Sequence, residues 1–410
     1  MKKVLFLLLF LGGHVAFAQP MSCLVADVDS GYIFAKENSD VPLPPASLAK
    51  VMTLYLTFSA LDKGWLKMDS VLPISEWAAS QEPSNLELVA GDTITVREAI
   101  LALIVKSAND VAVVLAESMA PSEPMFAEMM TQAAAQLGMY RTVFKNASGL
   151  HNPEQFSSAQ DMAILTLAMI KNFPQYYPLF ATQSFSYHGR EYHTHNHVLL
   201  DYEGAEGLKT GYISAVGYNI ISTAQKQGKR LVGIVMGDQS VRERDAYVKT
   251  LLDIGFEKVR LQKQAVERGL LQPAFNPLQR RAMVGKLNMA VFAPIMKRQT
   301  QKSIALGKKF KQNWKSPAPV SQYVYKAPFD SYWAIQIGAF RSQEKALSMA
   351  NRALSFLQNS SCSVQTQRKQ EGVYRSRLTG FQSKQLAEEA CRTLTNQNYS
   401  CFVLAAQGDK

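Results

Sequence analysis

Pro44-Pro45-Ala46-Ser47-Leu48-Ala49-Lys50 is the stretch that decides how this chain is read. A hydroxyl stands three residues before an amine, directly after two prolines. Prolines favour extended backbone ahead of a helix and fit its first turn. The following run of Val51, Met52, Leu54, Tyr55, Leu56, Phe58 and Leu61 predicts a mostly buried helix. Positions three apart share a helix face, so Ser47 and Lys50 are expected to meet one turn apart at its N-terminus. Unpaired N–H groups and the positive end of the helix dipole lie there. An amine to take the serine proton, with donors for an oxyanion, suits nucleophilic catalysis. Alone the pair says little, because an N-capping serine beside a solvated lysine gives the same letters. Ser107-Ala108-Asn109 and Lys209-Thr210-Gly211 change that reading.

The chain has 410 residues, enough for two or three domains, and its 47% hydrophobic content is ordinary for globular protein. Met1-Lys2-Lys3, the apolar run Val4 to Leu11 and Ala16-Phe17-Ala18 predict a secretory signal over 1–18, cut after Ala18. The run is short for a membrane span, so an uncleaved anchor is the weaker alternative. Export permits disulfides, and one bridge is expected among Cys362, Cys391 and Cys401, with the pairing open. Cys23 reads as structural. No cysteine or histidine spacing fits a structural zinc site. His193, His195 and His197 alternate as on a strand; a structural role is preferred to a metal site, since no carboxylate partners are evident. Neither metal nor cofactor is expected, nor a nucleic-acid partner.

The net charge of +11 is uneven. Residues 258–326 hold fifteen Lys/Arg and one acidic residue, Glu267, so this stretch alone exceeds the charge of the whole chain. Five prolines punctuate it and no regular pattern is visible, which predicts a solvated basic linker over 258–327. The alternative is peripheral membrane contact, with Met283, Val284, Leu287, Val291 and Phe292 interleaving the cations.

In chain order, Cys23 to Val28 predicts a strand, Asp29-Ser30-Gly31 a turn and Tyr32 to Ala35 the return strand. A strand–turn piece is expected around Gly91-Asp92. Thr95 with Glu98 forms a capping-box pattern ahead of a helix ending near Lys106. Further helices are expected at 111–119, 125–137 and 159–170. Three strands lie between 207 and 237, and a helix from 242 to 256 closes the sheet. The expected fold class is α/β (α+β): an antiparallel sheet flanked by helices, with a helical insertion between about residues 60 and 190. Late in the chain, Ile337 to Ser342 is answered by Leu378 to Ser383, each after a strand and before a helix, a small split βαβ domain.

Ser47-x-x-Lys50, Ser107-x-Asn109 and Lys209-Thr210-Gly211, in this order, resemble the active-site set of penicillin-interacting serine enzymes. Together with Asn146-Ala147-Ser148-Gly149-Leu150, His195-Asn196-His197 and Tyr212, residues 22–257 resemble the serine D-alanyl-D-alanine carboxypeptidases among the low-molecular-mass penicillin-binding proteins, peptidase family S11. The resemblance implies a fold like the DD-peptidases and serine β-lactamases. It also implies that Ser47 attacks the penultimate D-Ala carbonyl of a peptidoglycan pentapeptide and that Lys50 is its base. Ser107 would relay the proton, and Asn109 would hold Lys50 and the substrate amide. Lys209 and Thr210 would bind the terminal carboxylate, Gly211 would leave room for substrate, and the N–H groups of Ser47 and Tyr212 would form the oxyanion hole. β-Lactams are the expected acylating inhibitors. An endopeptidase on D-Ala cross-links would use the same machinery, and an idle catalytic domain serving as a wall-binding scaffold is the alternative from another class. A β-lactamase is disfavoured because no Glu is evidently placed to activate water.

Residues 328–406 resemble a SPOR domain of βαββαβ type, carried by Trp333 to Phe340 and Tyr374 to Phe381. This implies binding to peptidoglycan glycan strands, with Gln336, Tyr374 and Arg377 as candidate contacts, in the periplasm and at the division septum. Many relatives of the catalytic domain continue instead into a β-rich domain and an amphipathic anchor.

Overall fold

The computed structural model describes residues 21–267, 287–313, 333–340, 342–357, 363–368, 374–381, 384–395, 397, 399 and 401–404. The signal segment and Cys362 lie outside these residues. The chain divides into two units, Met1–Lys315 and Ser316–Lys410.

In the first unit β1 (Ser22–Asp27) turns back into β2 (Ile33–Glu37). Ser30 closes the turn by donating from its N–H and its Oγ to Asp27 Oδ1, at 2.6 and 2.9 Å. A ribbon of β3 (Val71–Pro73) and β4 (Thr93–Thr95) and a hairpin of β5 (Ser184–Tyr187) and β6 (Arg190–His193) flank the helical part. Then β7 (Ala205–Ile213), β8 (Gly217–Lys226) and β9 (Lys229–Asp238) run as a meander. The sheet order is β2-β1-β9-β8-β7, all antiparallel, which leaves β7 as an edge. The six residues of β1 are all buried, as expected of a strand covered on both faces. Val25, Leu231 and Val235 of the sheet form one core layer with Val248 and Leu252 of the Val241–Glu267 helix. The larger core lies on the other side, around the Lys50–Asp62 helix, where Lys50 to Leu61 are all buried. Thr95 and Glu98 form the expected capping box, and Ser158 caps the Ala159–Asn172 helix.

Four expectations need correction. The helix over the sheet runs to Glu267, beyond 256. The histidine segment is not one strand: β6 ends at His193, and Asn196 caps a short helix, His197–Asp201, by accepting from Leu199 N–H. Of the piece expected near Gly91-Asp92, only Thr93–Thr95 is a strand.

The largest correction concerns the basic linker. Within 258–327, Ala293–Asn313 is a helix seated on the first unit, preceded by a turn at Met289–Val291. Met289, Phe292, Met296, Thr300, Ser303 and Gly307 are buried, at spacings of three and four. The last three are small or polar, and cations fill the other face, so the periodicity is hard to see in the letters. Gly307 is needed for close approach: a Cβ there would stand 2.3 Å from the Val71 carbonyl oxygen. Gln299 Nε2 donates to Glu117 O at 2.9 Å, and Gln136 Oε1 accepts from Asn288 N–H at 3.0 Å. Of the apolar residues expected to be available to a membrane, Leu287 and Phe292 are 7% and 1% exposed, Val291 is 55% exposed, and Met283 and Val284 lie outside the described residues. Among the described residues no helix is long and apolar enough to cross a membrane.

The second unit holds β10 (Trp333–Phe340), β11 (Ser363–Arg368), β12 (Tyr374–Phe381) and β13 (Phe402–Leu404), in the order β11-β12-β10-β13. Ile335, Ile337 and Leu378 meet Ala350, Ala353, Ala387 and Leu394 of the helices Gln343–Ser355 and Lys384–Thr395. The disulfide joins Cys391 to Cys401. Cys23 is free and buried.

Candidate active site

Ser47 lies on a 3-10 turn, Ala46–Ala49, that leads directly into the helix beginning at Lys50. The turn is fixed from several sides. Asn219 Nδ2, from β8, donates to the carbonyls of Pro44 and Pro45, each at 3.1 Å, and its Oδ1 accepts from Gly237 N–H at 2.9 Å. Gly149 has φ +84°, and a Cβ there would lie 1.9 Å from Ala46 O. Only glycine lets the 146–150 loop press so closely on the serine turn.

Lys50 is fully buried, and its Nζ has three partners: Ser47 Oγ at 2.9 Å, Asn109 Oδ1 at 2.7 Å and Ser148 O at 2.6 Å. The last two can only accept. A neutral amine therefore spends both N–H groups on them and aims its lone pair at the Ser47 hydroxyl. Burial first, and then the Lys209 ammonium, hold the Lys50 amine well below its ordinary pKa, with the Asp110 carboxylate opposing. Geometry and electrostatics both suit a general base.

Asn109 opens the Asn109–Met119 helix. Its N–H donates to Ser84 O at 2.6 Å and its Nδ2 to Glu82 O at 2.8 Å. The adjacent Asp110 accepts from the N–H groups of Leu86, Leu88 and Val111 at 2.8–3.1 Å, which pins the 82–88 loop that holds Asn109. Ser107 ends a π-helical turn in the left-handed region, φ 60° and ψ 35°. Such a conformation costs a serine about 1–2 kcal/mol. Its hydroxyl makes no hydrogen bond to Ser47 or Lys50 among the described residues.

β7 brings the third segment to the same place. A Cβ on Gly211 would stand 3.0 Å from Ser47 N and 3.2 Å from Ala46 Cβ, so the strand edge runs beside the serine turn. Lys209 is buried, donates to Thr210 O at 2.8 Å and has its pKa lowered to about 7, by desolvation first and then by Arg244. Arg244 is itself buried and doubly bonded to Asp245 Oδ1 at 2.9 and 2.6 Å, and Asp245 also meets His197 Nδ1 at 3.2 Å. Tyr212 is 57% exposed and its ring lies 4.5 Å from that of Tyr218.

Ser47, Lys50 and Asn109 are therefore joined by hydrogen bonds, with Lys209, Thr210 and Gly211 alongside. Gln336 and Arg377 face each other across β10 and β12 of the second unit, and Tyr374 pairs with Phe340. Sequence reasoning assigned no role to Asp110, Ser148, Asn219, Arg244 or Asp245. Asn219, polar within the run Asn219-Ile220-Ile221, was a visible signal; Arg244 and Asp245 sit in an ordinary charged helix start. Among the described residues no group of three or more His, Cys, Asp or Glu is arranged to hold a metal.

A family profile described as D-alanyl-D-alanine carboxypeptidase, peptidase S11, matches residues 16–240, and one for the SPOR domain matches 330–405. The D-alanyl-D-alanine carboxypeptidase DacF of Bacillus subtilis is 34% identical over 58% of this chain and 62% of its own. DacD of Escherichia coli is 34% identical over 57% of this chain and 62% of its own. The chain thus spans about three fifths of the length of these curated relatives. Among solved structures, penicillin binding protein 5 of Haemophilus influenzae aligns with TM-score 0.56 and 32% identity over 58% of this chain and 70% of that one. Penicillin binding protein 6B of E. coli gives 0.55 and 33% over 57% and 75%. The triad around Lys50 and the strand edge beside it thus sit on the fold of these proteins, and the chain belongs to the S11 family of D-alanyl-D-alanine carboxypeptidases.

Proposed function

We propose that this protein is a serine D-Ala-D-Ala carboxypeptidase that trims peptidoglycan pentapeptides in the periplasm and is held on the wall by its SPOR domain. The observation that carries the reading is the Lys50 amine, held by Asn109 Oδ1 and Ser148 O and directed at Ser47 Oγ. Substrate lies along the β7 edge as an added strand. Its terminal carboxylate meets Lys209 and Thr210. Ser47 Oγ bonds to the penultimate D-Ala carbonyl carbon while Lys50 takes the serine proton. The oxyanion is met by the N–H groups of Ser47 and Tyr212. The C–N bond breaks, the proton passes through Lys50 and Ser107 to the leaving amine, and D-Ala departs. Water then hydrolyses the ester on Ser47. A β-lactam carbonyl acylates the same oxygen; penicillin-binding protein D2 of Listeria monocytogenes, 29% identical with TM-score 0.53, was solved in its cefotaxime-bound form.

For the second unit we propose glycan binding on the sheet face opposite the helices. Gln336 and Arg377 are register partners there, and Gln336 Oε1 and Arg377 Nε are buried without a protein partner. Buried polar atoms are seldom left unmatched, so a hydroxyl-rich ligand supports the pair. Tyr374 shares by strand alternation the face of Ser376, whose Oγ donates to Ala346 O of the covering helix, and of the core residue Leu378, so Gln336 and Arg377 carry this proposal without it. Septal glycan is the expected location.

D-alanine release from a muramyl-type pentapeptide tests the activity, comparing the mature protein with Ser47→Ala. Release by the first and not the second is the expected result. No release by either overturns the carboxypeptidase reading.

A further inference from the structure

The Ala293–Asn313 helix is fixed to the first unit by one face and offers the other to solvent. Lys297, Arg298, Lys302, Lys308, Lys309 and Lys311 are all exposed, and the helix contains no acidic residue. None of the six makes an ion pair among the described residues. At 1.5 Å per residue they extend over about 21 Å. A single-sign row of this length on a seated helix raises the local concentration of a polyanion.

The burial pattern narrows what that polyanion is. A helix that enters lipid keeps its apolar side free for the bilayer. Here the apolar side is already used: Phe292 and Met296 are 1% and 0% exposed. The outward apolar side chains are Val291 in the preceding turn, Ile295 and Leu306; Leu306 stands eleven residues, about 16 Å along the axis, from Ile295, so they form no continuous stripe along the helix. What faces outward is hydrophilic and cationic, which suits a hydrated, carboxylate-bearing polymer better than a membrane.

We propose that this face is an electrostatic docking ridge for the carboxylates of uncross-linked wall peptides, so that the catalytic unit itself grips the polymer whose peptides it trims. The proposal rests on the peptidoglycan reading above. It differs from that reading in placing a polymer contact on the first unit, independent of the cleft and of the second unit.

The test compares the full mature chain with a variant in which all six cations become Gln. All six are solvent-exposed, so folding is expected to persist, and circular dichroism with pentapeptide turnover checks it. With soluble pentapeptide the two proteins are expected to share kcat and KM. With polymeric peptidoglycan at low ionic strength, KM of the variant rises about tenfold or more. At about 1 M salt, where the Debye length is about 3 Å, the difference disappears. Amidation of the polymer carboxylates also blocks the terminal carboxylate assigned to Lys209 and Thr210, so it is read by cosedimentation rather than turnover, and it weakens binding of the parent to the level of the variant. An unchanged polymer KM in a variant that still turns over pentapeptide overturns the ridge, as does indifference to amidation. Loss of binding to phosphatidylglycerol vesicles with polymer KM unchanged makes the face a lipid contact instead and also overturns it. If the parent hydrolyses no pentapeptide, the carboxypeptidase reading fails alone, and salt-dependent cosedimentation with the wall polymer still decides the ridge.

Discussion

Two helices of the first unit are seated by opposite means. Lys50–Asp62 is buried all round: every residue from Lys50 to Leu61 is buried, and Thr53 Oγ1 donates to Ala147 O at 2.7 Å. Ala293–Asn313 is buried along one stripe and solvated elsewhere. The first places a buried amine against a serine, a costly arrangement that only function justifies. The second contributes apolar area and a close backbone approach and leaves its charges in water. Loss of Lys50 from the first should therefore appear in catalysis, and loss of a buried anchor of the second in stability.

The strongest way to break this contrast is Lys50→Met. It removes the proposed base, and kcat/KM for pentapeptide is expected to fall by at least about 10³-fold. Thermal unfolding of the first unit should move little or upward, because a desolvated amine is replaced by a side chain of similar volume. A large drop in melting temperature would mean that Lys50 is structural after all. Phe292→Ala is the mirror experiment. It empties a fully buried site and is expected to cost about 3–5 kcal/mol, read as a lower melting temperature of the first unit. Pentapeptide kcat, measured well below the transition, should stay near the parent value.

The two helices also differ in how much the letters disclose. Ser47 and Lys50 were legible because catalysis demands particular residue types at fixed spacing, and two further segments in order removed the ambiguity. The antiparallel meander was legible from three apolar runs separated by turn residues. The 287–313 segment was not, because a helix seated by Thr300, Ser303 and Gly307 on one flank lacks an apolar stripe, and its cations read as a solvated connector. The supports of the site were hidden for another reason. Ser148 acts through its carbonyl, and Glu82 and Ser84 hold Asn109 through theirs, so the side chain carries no signal. Arg244 and Asp245 gain their meaning only from burial beneath Lys209, which a sequence does not display.

Gly307 sharpens the contrast by sign. In a solvated helix, Gly→Ala stabilises by about 0.5–1 kcal/mol, because glycine is a poor helix former. In a docked helix whose Cβ position lies 2.3 Å from Val71 O, the same change forces the helix off its seat, at about 1–3 kcal/mol. Gly307→Ala is therefore expected to lower the melting temperature. A rise would show that the segment is not seated in solution and would return it to the status of a linker.

The smallest expected effect separates the cations of the two regions. Lys209 is buried, and its pKa is lowered to about 7, so in the free enzyme it is an ammonium below that pH and an amine above it. In the proposed mechanism only the ammonium pairs with the substrate carboxylate. KM for pentapeptide should thus be flat below about pH 7 and rise, by up to tenfold per unit, as pH passes through that value. A bound carboxylate favours the charged form, so kcat should show this limb at higher pH or not at all. Because the pair forms out of water, the limb should persist at high salt, where the exposed row on Ala293–Asn313 is screened. If salt instead erased the limb, the carboxylate would be meeting a solvated charge, and the placement of Lys209 as its buried partner would fall.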